Sequence, residues 1–595
     1  MSRLLGWTVL LSLCPWQITA DCYARPPNVI VLLADDAGWG DYGASGNQQA
    51  RTPHIDGLAK EGVSLDRFFV CPVCSPTRAE FLTGRWWPRT GVRGVSTGHE
   101  RLNLDERTIA DAFRAAGYAT GCFGKWHNGS QWPYHPMARG FDTYFGHAAG
   151  HWGEYFDPPL ERDGRMERAQ GYIVDICTSA AIDFIRRSAD SPFFCYVPFT
   201  TPHSPWAAPV KNWNHFREVA IGQRATQPDK EDIDKSRCAL AMLENQDENV
   251  GRILHAIDEL RIADNTIVVY FSDNGPNSNR WNGGLAGIKG TTDEGGVRSV
   301  CLIRWPDGLP AGQRVEQIAS AIDLLPTLTS LAGVALPPGK PLDGRDLTAL
   351  LRGEPIVWPE RVLFSTWGGR VSVRSQRHRL DHRGMLFDIE SDPAQVHPLE
   401  DQEPAIAAAL AAAGITWRRE MGEAASEKSV GVGVDPRPIG VGYPEFPVTM
   451  LPARDGEPRG GIARSGRAPN CSYFVGWNAL ADEMIWQIDV QTSGDYDVVI
   501  DYTCPLADVG SMVELSFQGS RLAGRVAPGW DPPLLANQDT LPRSAAESPM
   551  KEFRPLSLGT IRLAKGRGPL VLRAVDIPGQ SVMDVRRITL TLVAE

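Results

Sequence analysis

Short apolar runs recur along the first two-thirds of the chain, and stretches of helical period separate them. Asn28-Val-Ile-Val-Leu-Leu33 is the first such run. A segment apolar at consecutive positions marks a strand buried on both faces of a parallel sheet. Similar runs at 118–123, 193–199, 266–271 and 300–303 predict further strands. Between them, Leu104 to Ala116 repeats apolar residues at Ile109, Ala112 and Phe113, and Ser236 to Leu260 is a long amphipathic stretch. This alternation, held from residue 28 to about 420, predicts a three-layer α/β/α domain large enough to bury a substantial core.

The pattern changes near residue 424. Val430 to Pro447 is rich in Gly, Pro and Val without helical period, so residues 425–464 read as a linker. Beyond residue 465 the period becomes two. Trp486, Ile488 and Val490 alternate with polar neighbours, as do Tyr496, Val498 and Ile500, and finally Ile588, Leu590 and Leu592. Such strands predict an all-β sandwich, jelly-roll-like, over 465–595. It carries no chemical constellation and is either carbohydrate-binding-module-like or structural. The domain reading is therefore a catalytic region at 26–424, with a smaller subdomain at about 335–424, then linker and sandwich.

Composition narrows the function. The formal net charge of −11 argues against a nucleic-acid partner, which needs a basic footprint. Arg3, the apolar run Leu4 to Leu13 and the small residues before Asp21 predict a signal peptide at 1–20. Pro15 and Gln17 interrupt that run too early for a membrane anchor, and no later segment is long enough to span, so stable membrane insertion is not expected. Secreted or periplasmic location follows, with a lysosome relevant only to a eukaryotic source. The 11 cysteines are an odd number, so they cannot all pair within one chain.

In open α/β sheets, ligands bind beyond the carboxyl ends of the strands. Four such ends carry Asp35-Asp36, Lys125-Trp126-His127, Thr201-Pro202-His203 and Asp273-Asn274. Asp35, Asp36, Asp273 and Asn274 form an all-oxygen anionic set, suited to Ca²⁺, with Mg²⁺ or Mn²⁺ as alternatives, rather than to zinc. Cys74-Ser-Pro-Thr-Arg78 precedes a predicted helix. A Cys at a helix start beside an Arg should have a lowered thiol pKa. The plain alternative is a structural Cys or a disulfide with Cys71.

C-x-P-x-R, with Asp35-Asp36 upstream and Gly124-Lys-Trp-His127 downstream, resembles the type I sulfatases of the alkaline phosphatase superfamily. Phe271 to Pro276, Lys289 with Glu294 to Arg298, and Leu386 to Pro393 are similar to further motifs of that family, in its order, over roughly residues 26–420. The resemblance implies that a maturation enzyme converts Cys74 to formylglycine (3-oxoalanine), whose gem-diol attacks sulfur. A covalent sulfo-enzyme follows, and the second hydroxyl resolves it. By position, Asp35, Asp36, Asp273 and Asn274 would hold the cation together with the modified Cys74. Arg78 would orient the diol, His127 would act as base with Lys125 fixing its geometry, and His203 and Lys289 would contact sulfate and assist the leaving group. Glu294 and Arg298 look like a buried supporting pair. His147 and His151 lie where the family often places another sulfate contact, without an assignable role.

The expected function is thus removal of sulfate from a sulfated carbohydrate or aryl sulfate. The alternatives are a phosphonate or phosphodiester hydrolase of the same superfamily, or a non-catalytic glycan-binding protein. Trp126, Trp132, Trp152, Trp206 and Trp281 cluster around the motifs and suit either sugar stacking or core packing. Two N-glycosylation sequons occur, at Asn128 and Asn470.

Overall fold

The computed structural model describes residues 25–336, 338–422, 431, 433–535 and 538–593. The expected signal peptide lies outside the described residues. No helix among them is long and apolar enough to cross a membrane.

Four strands form the centre of a ten-stranded sheet: β1 (Asn28–Ala34), β2 (Ala119–Lys125), β3 (Phe193–Pro198) and β4 (Thr266–Ser272). They lie in the order β4-β1-β3-β2 and are mutually parallel. Their apolar continuity has a direct cause. Val29, Val31 and Leu33 enter one core, and Ile30, Leu32 and Ala34 enter another, so each face of β1 is covered. On the first face packs helix α1 (Cys74–Thr83), through Phe81 and Leu82. The second is covered by α2 (Ile173–Ser188) and α3 (Ile233–Glu259). This is the α/β/α arrangement expected.

Details depart from the periodicity. The helix read from Leu104 covers only Ile109–Ala115, because Thr108 caps it, its hydroxyl accepting from Asp111 N. The strand near 300–303, Cys301–Arg304, runs antiparallel to β4. Helix α1 begins at Cys74 itself. Residues 363–388 form a four-stranded antiparallel sheet, against which helix α4 (Pro404–Met421) packs through Leu410.

The stretch expected to be a linker is corrected by its pairing. Ile439–Val441 runs beside Glu483–Val490, Val448–Pro452 beside Asp584–Leu592, and Glu457–Arg459 beside Glu483–Val490. Residues 439–464 therefore belong to the two six-stranded sheets that share one core. These strands are short and interrupted by Gly and Pro, which hid them from a period-two reading. Trp486, Ile488, Val490, Tyr496, Val498, Ile500, Ile588 and Leu590 are all buried in that core, and Leu592 lies at its edge.

Candidate active site

Register brings the strand ends together. Leu33 pairs with Pro198 and with Phe271, so the residues after β1, β3 and β4 emerge at one level. Asp36 there has φ 68° and His127 φ 66°, left-handed conformations that turn each chain sharply away from its strand. The structure gathers Asp35, Asp36, Cys74, Arg78, Lys125, His127, His203, Asp273, Asn274 and Lys289 around this level, and Cys74, Asp35 and Asp273 present ligand atoms within 4.8 Å of one another.

The cations are individually tethered. Arg78, fully buried, donates from Nε and Nη2 to Asp273 Oδ2 at 3.1 and 2.7 Å, and from Nη1 to the Lys125 carbonyl at 2.6 Å. Lys125 Nζ donates to Asp35 Oδ2 at 2.6 Å, and Lys289 Nζ to Asp36 Oδ1. His203 Nε2 lies 3.6 Å from Asp36 Oδ2. Thr77 locks the start of α1 to the end of β4: its hydroxyl donates to the Asp273 carbonyl at 2.5 Å and accepts from Cys71 N at 2.8 Å.

The residues fit a hard cation. Asp35 Oδ1, Asp36 Oδ2 and Asn274 Oδ1 are buried without a hydrogen-bond partner, although such oxygens are costly to leave bare. Burial, joined by the charge of Asp35, pushes Asp273 up to about 6 despite Arg78. Crowded carboxylates with free oxygens are what an oxygen-coordinated ion relieves.

The thiol expectation is corrected. Burial pushes Cys74 up from its ordinary value, outweighing the lowering charges of Lys125 and Lys289. Arg78 is committed to Asp273 and the Lys125 carbonyl, so the unmodified side chain is a neutral thiol near pH 7. Cys71 and Cys74 form no disulfide, and all nine cysteines among the described residues are free.

His127 is held in one tautomer. Its Nε2 donates to the Val95 carbonyl at 2.8 Å, which leaves Nδ1 as the acceptor, buried and unpartnered. Gly150 lies against the ring, where a Cβ would approach within 2.0 Å of Nε2. Burial, with the charges of Lys125 and Arg78, holds its pKa well below the ordinary value.

Other candidates sort by their contacts. Both ring nitrogens of His147 are used internally, near Thr200 Oγ1 at 3.1 Å and the Ala149 carbonyl at 3.0 Å. His151 faces His203, with their Nδ1 atoms 3.4 Å apart. Trp126 and Trp206 are core residues, Trp152 stacks on His147 and Trp132 on Phe446. Glu294 lies 3.7 Å from Arg298 but bonds more closely to Arg374, in the small subdomain sheet. Asn128 is fully buried and donates to the Ser75 carbonyl at 3.3 Å, so its sequon offers no accessible amide. Sequence reasoning missed Thr77 and also Glu547, whose Oε1 accepts from Ser204 Oγ at 2.8 Å beside His203; the latter sits far from every motif and had no local signature.

The family model described as Sulfatase matches residues 27–334, more than half of the 595-residue chain. This chain belongs to the sulfatase family. N-acetylgalactosamine-6-sulfatase of Canis lupus familiaris is 34% identical over 384 residues, 58% of this chain and 70% of the relative. Steryl-sulfatase of Rattus norvegicus is 29% identical over 535 residues, 66% of this chain and 89% of the relative. The crystal structure of Ps i-CgsB in complex with k-i-k-neocarrahexaose matches with a TM-score of 0.60 at 28% identity, covering 69% of this chain and 96% of that one. The sulfatase hydrolyses sulfate esters.

Proposed function

We propose that this sulfatase acts through a formylglycine formed from Cys74, beside a Ca²⁺ ion, on a sulfated carbohydrate. The carrying observation is the trio of bare buried oxygens on Asp35, Asp36 and Asn274, next to a Cys74 thiol that burial keeps un-ionised. Asp35, Asp36, Asp273 and Asn274, with the modified residue 74, would hold the ion. When bound, the cation neutralises sulfate charge, and the hydrated formylglycine offers an oxygen nucleophile with a second hydroxyl.

The chain's own groups do the rest. Lys125 and Arg78 keep cationic charge beside the reacting centre, Lys125 being fixed by Asp35 and Arg78 by Asp273. His127 accepts a proton at Nδ1, the one ring position its bond to Val95 leaves free. Lys289 binds a sulfate oxygen. Burial and the nearby Lys289 hold His203 down to about 3 against the raising charge of Asp36, and an entering sulfate raises its proton affinity. His203 then protonates the leaving oxygen.

The sugar assignment is supported by two relatives, N-acetylgalactosamine-6-sulfatase and Ps i-CgsB in complex with a neocarrahexaose. A dedicated maturation enzyme is the implied partner, and export would expose Asp21 as the first residue.

The test is the mass of the peptide containing residue 74 after co-expression with a maturation enzyme. Loss of the thiol in favour of an aldehyde is expected, and an intact thiol in active protein overturns the reading. Cys74→Ala should lower turnover by about 10³-fold or more. Chelation should abolish activity, with Ca²⁺ restoring more of it than Mg²⁺ or Mn²⁺. Faster turnover of a matched phosphodiester than of the sulfate ester would contradict the substrate assignment.

A further inference from the structure

The C-terminal sandwich sends one segment back to the catalytic domain. Ahead of strand Arg554–Leu563, residues 539–547 lie along the loop that carries His203. Thr540 N and Leu541 N both donate to the Trp206 carbonyl, at 2.8 and 3.1 Å, and Ala208 N donates to Thr540 Oγ1 at 2.8 Å. Arg543 Nη2 donates to the Gly153 carbonyl at 2.8 Å and pairs with Asp539. Thus pinned to the loops that carry His203 and His151, the segment delivers a carboxylate, Glu547.

Glu547 bridges two neighbours of His203. Its Oε1 accepts from Ser204 Oγ at 2.8 Å, and its Oε2 lies 3.4 Å from His151 Nε2. His151 Nδ1 lies 3.4 Å from His203 Nδ1, which also lies 2.6 Å from the Ser204 carbonyl. The carboxylate 3.4 Å away favours the His151 tautomer with its proton on Nε2, which turns the Nδ1 lone pair toward His203. His203 must then carry its own proton on Nδ1, between His151 Nδ1 and the Ser204 carbonyl, and Nε2 is left to exchange protons.

We propose that Glu547, supplied by the C-terminal sandwich, is a positioning residue for His203, acting through His151 and Ser204 to hold the ring with its Nδ1 proton on the Ser204 carbonyl and Nε2 turned to the leaving oxygen. As the bond from sulfur to the ester oxygen breaks, its electron pair stays on that oxygen, which takes the Nε2 proton and leaves His203 neutral. Burial raises the Glu547 pKa, but the contact with His151 and the hydrogen bond from Ser204 outweigh it, so the carboxylate remains ionised. At side-chain exposures of 10% for Glu547 and 9% for His151, water screens this charge weakly.

The inference rests on the leaving-group role of His203, and the test separates the two. The matured full-length chain and its Glu547→Gln, His151→Ala and His203→Ala variants are assayed on 4-nitrophenyl sulfate and on N-acetylgalactosamine 6-sulfate. Proton donation matters little for the acidic nitrophenol and much for the sugar alcohol. Glu547→Gln, which keeps shape and hydrogen-bonding groups, should retain its thermal midpoint and KM. Its kcat on the sugar sulfate should fall about 10-fold or more, with that on the aryl sulfate within about twofold. His151→Ala should reproduce the pattern, and the double variant should be no worse than the poorer single one. Equal loss on both substrates, or none on either, for Glu547→Gln and His151→Ala alike overturns the inference. If His203→Ala also fails to discriminate between the substrates, the role of His203 falls with it; if His203→Ala does discriminate, only the Glu547 inference falls.

Discussion

Glu80 shows how one buried group sets a pH dependence for the whole chain. It lies on the helix that begins with Cys74, accepts from Trp87 N at 3.2 Å, and is raised from 4.5 to about 8, chiefly by burial and then by the charges of Asp343 and Asp323. The folded state therefore holds a proton that the unfolded chain releases at lower pH. The stability from this group is present below about 4.5 and is lost as pH rises toward about 8. Glu80→Gln should flatten the fall in unfolding free energy across that window, measured by urea denaturation at stepped pH, and should be the more stable form at the alkaline end. A variant with the wild-type slope would show that the group is ionised when folded. Nothing in the sequence around Glu80 distinguishes it from a surface acid of a helix; only three-dimensional enclosure does. The same holds for Cys74, whose helix-start position beside Arg78 argued for a lowered thiol while burial reverses the sign.

At the scale of elements, parallel strands placed the candidate site groups legibly. Strand ends in an α/β sheet share one edge, so Asp35, Lys125, His203 and Asp273 could be grouped from apolar runs alone. What the runs did not disclose is how the elements are fastened. Glu294, on the short helix Glu294–Val297, is fully buried between Arg374 of the small subdomain sheet and Arg298. Removing it strands two guanidinium groups in a low-dielectric setting, and burial already lowers both of their pKa values. Glu294→Ala should cost about 3–5 kcal/mol by urea unfolding, and the replacement of Glu294 and Arg374 together by apolar residues should recover part of that loss. An exposed pair would show about 1 kcal/mol or less.

Across the whole molecule, the sandwich is part of the catalytic body. Arg586 meets Glu154 at 3.2 Å, Arg454 meets Glu100 at 3.4 Å, and Asn470 Nδ2 donates at 3.2 Å to the Val95 carbonyl that also holds His127. Its sheets need the residues first read as linker. A fragment starting at residue 465 lacks Ile439–Val441 and Val448–Pro452, and so uncovers the edges of two long strands. Circular dichroism melts should show a cooperative transition for residues 433–595 and none for 465–595. Equal cooperativity in both would mean that the early strands are dispensable.

By itself, the sequence determined the α/β/α class and grouped Asp35, Asp36, Lys125, His127, His203, Asp273 and Asn274, because apolar continuity and strand-end motifs are local and repeat at matching positions, while Cys74, Arg78 and Lys289 joined them through the resemblance of their motifs to the sulfatase family. Tertiary structure alone decided which of those groups are buried, where the sandwich begins and that Glu547 lies against His151 and Ser204. Burial and contacts between residues hundreds of positions apart are properties of the packed chain, and no short window of sequence carries them.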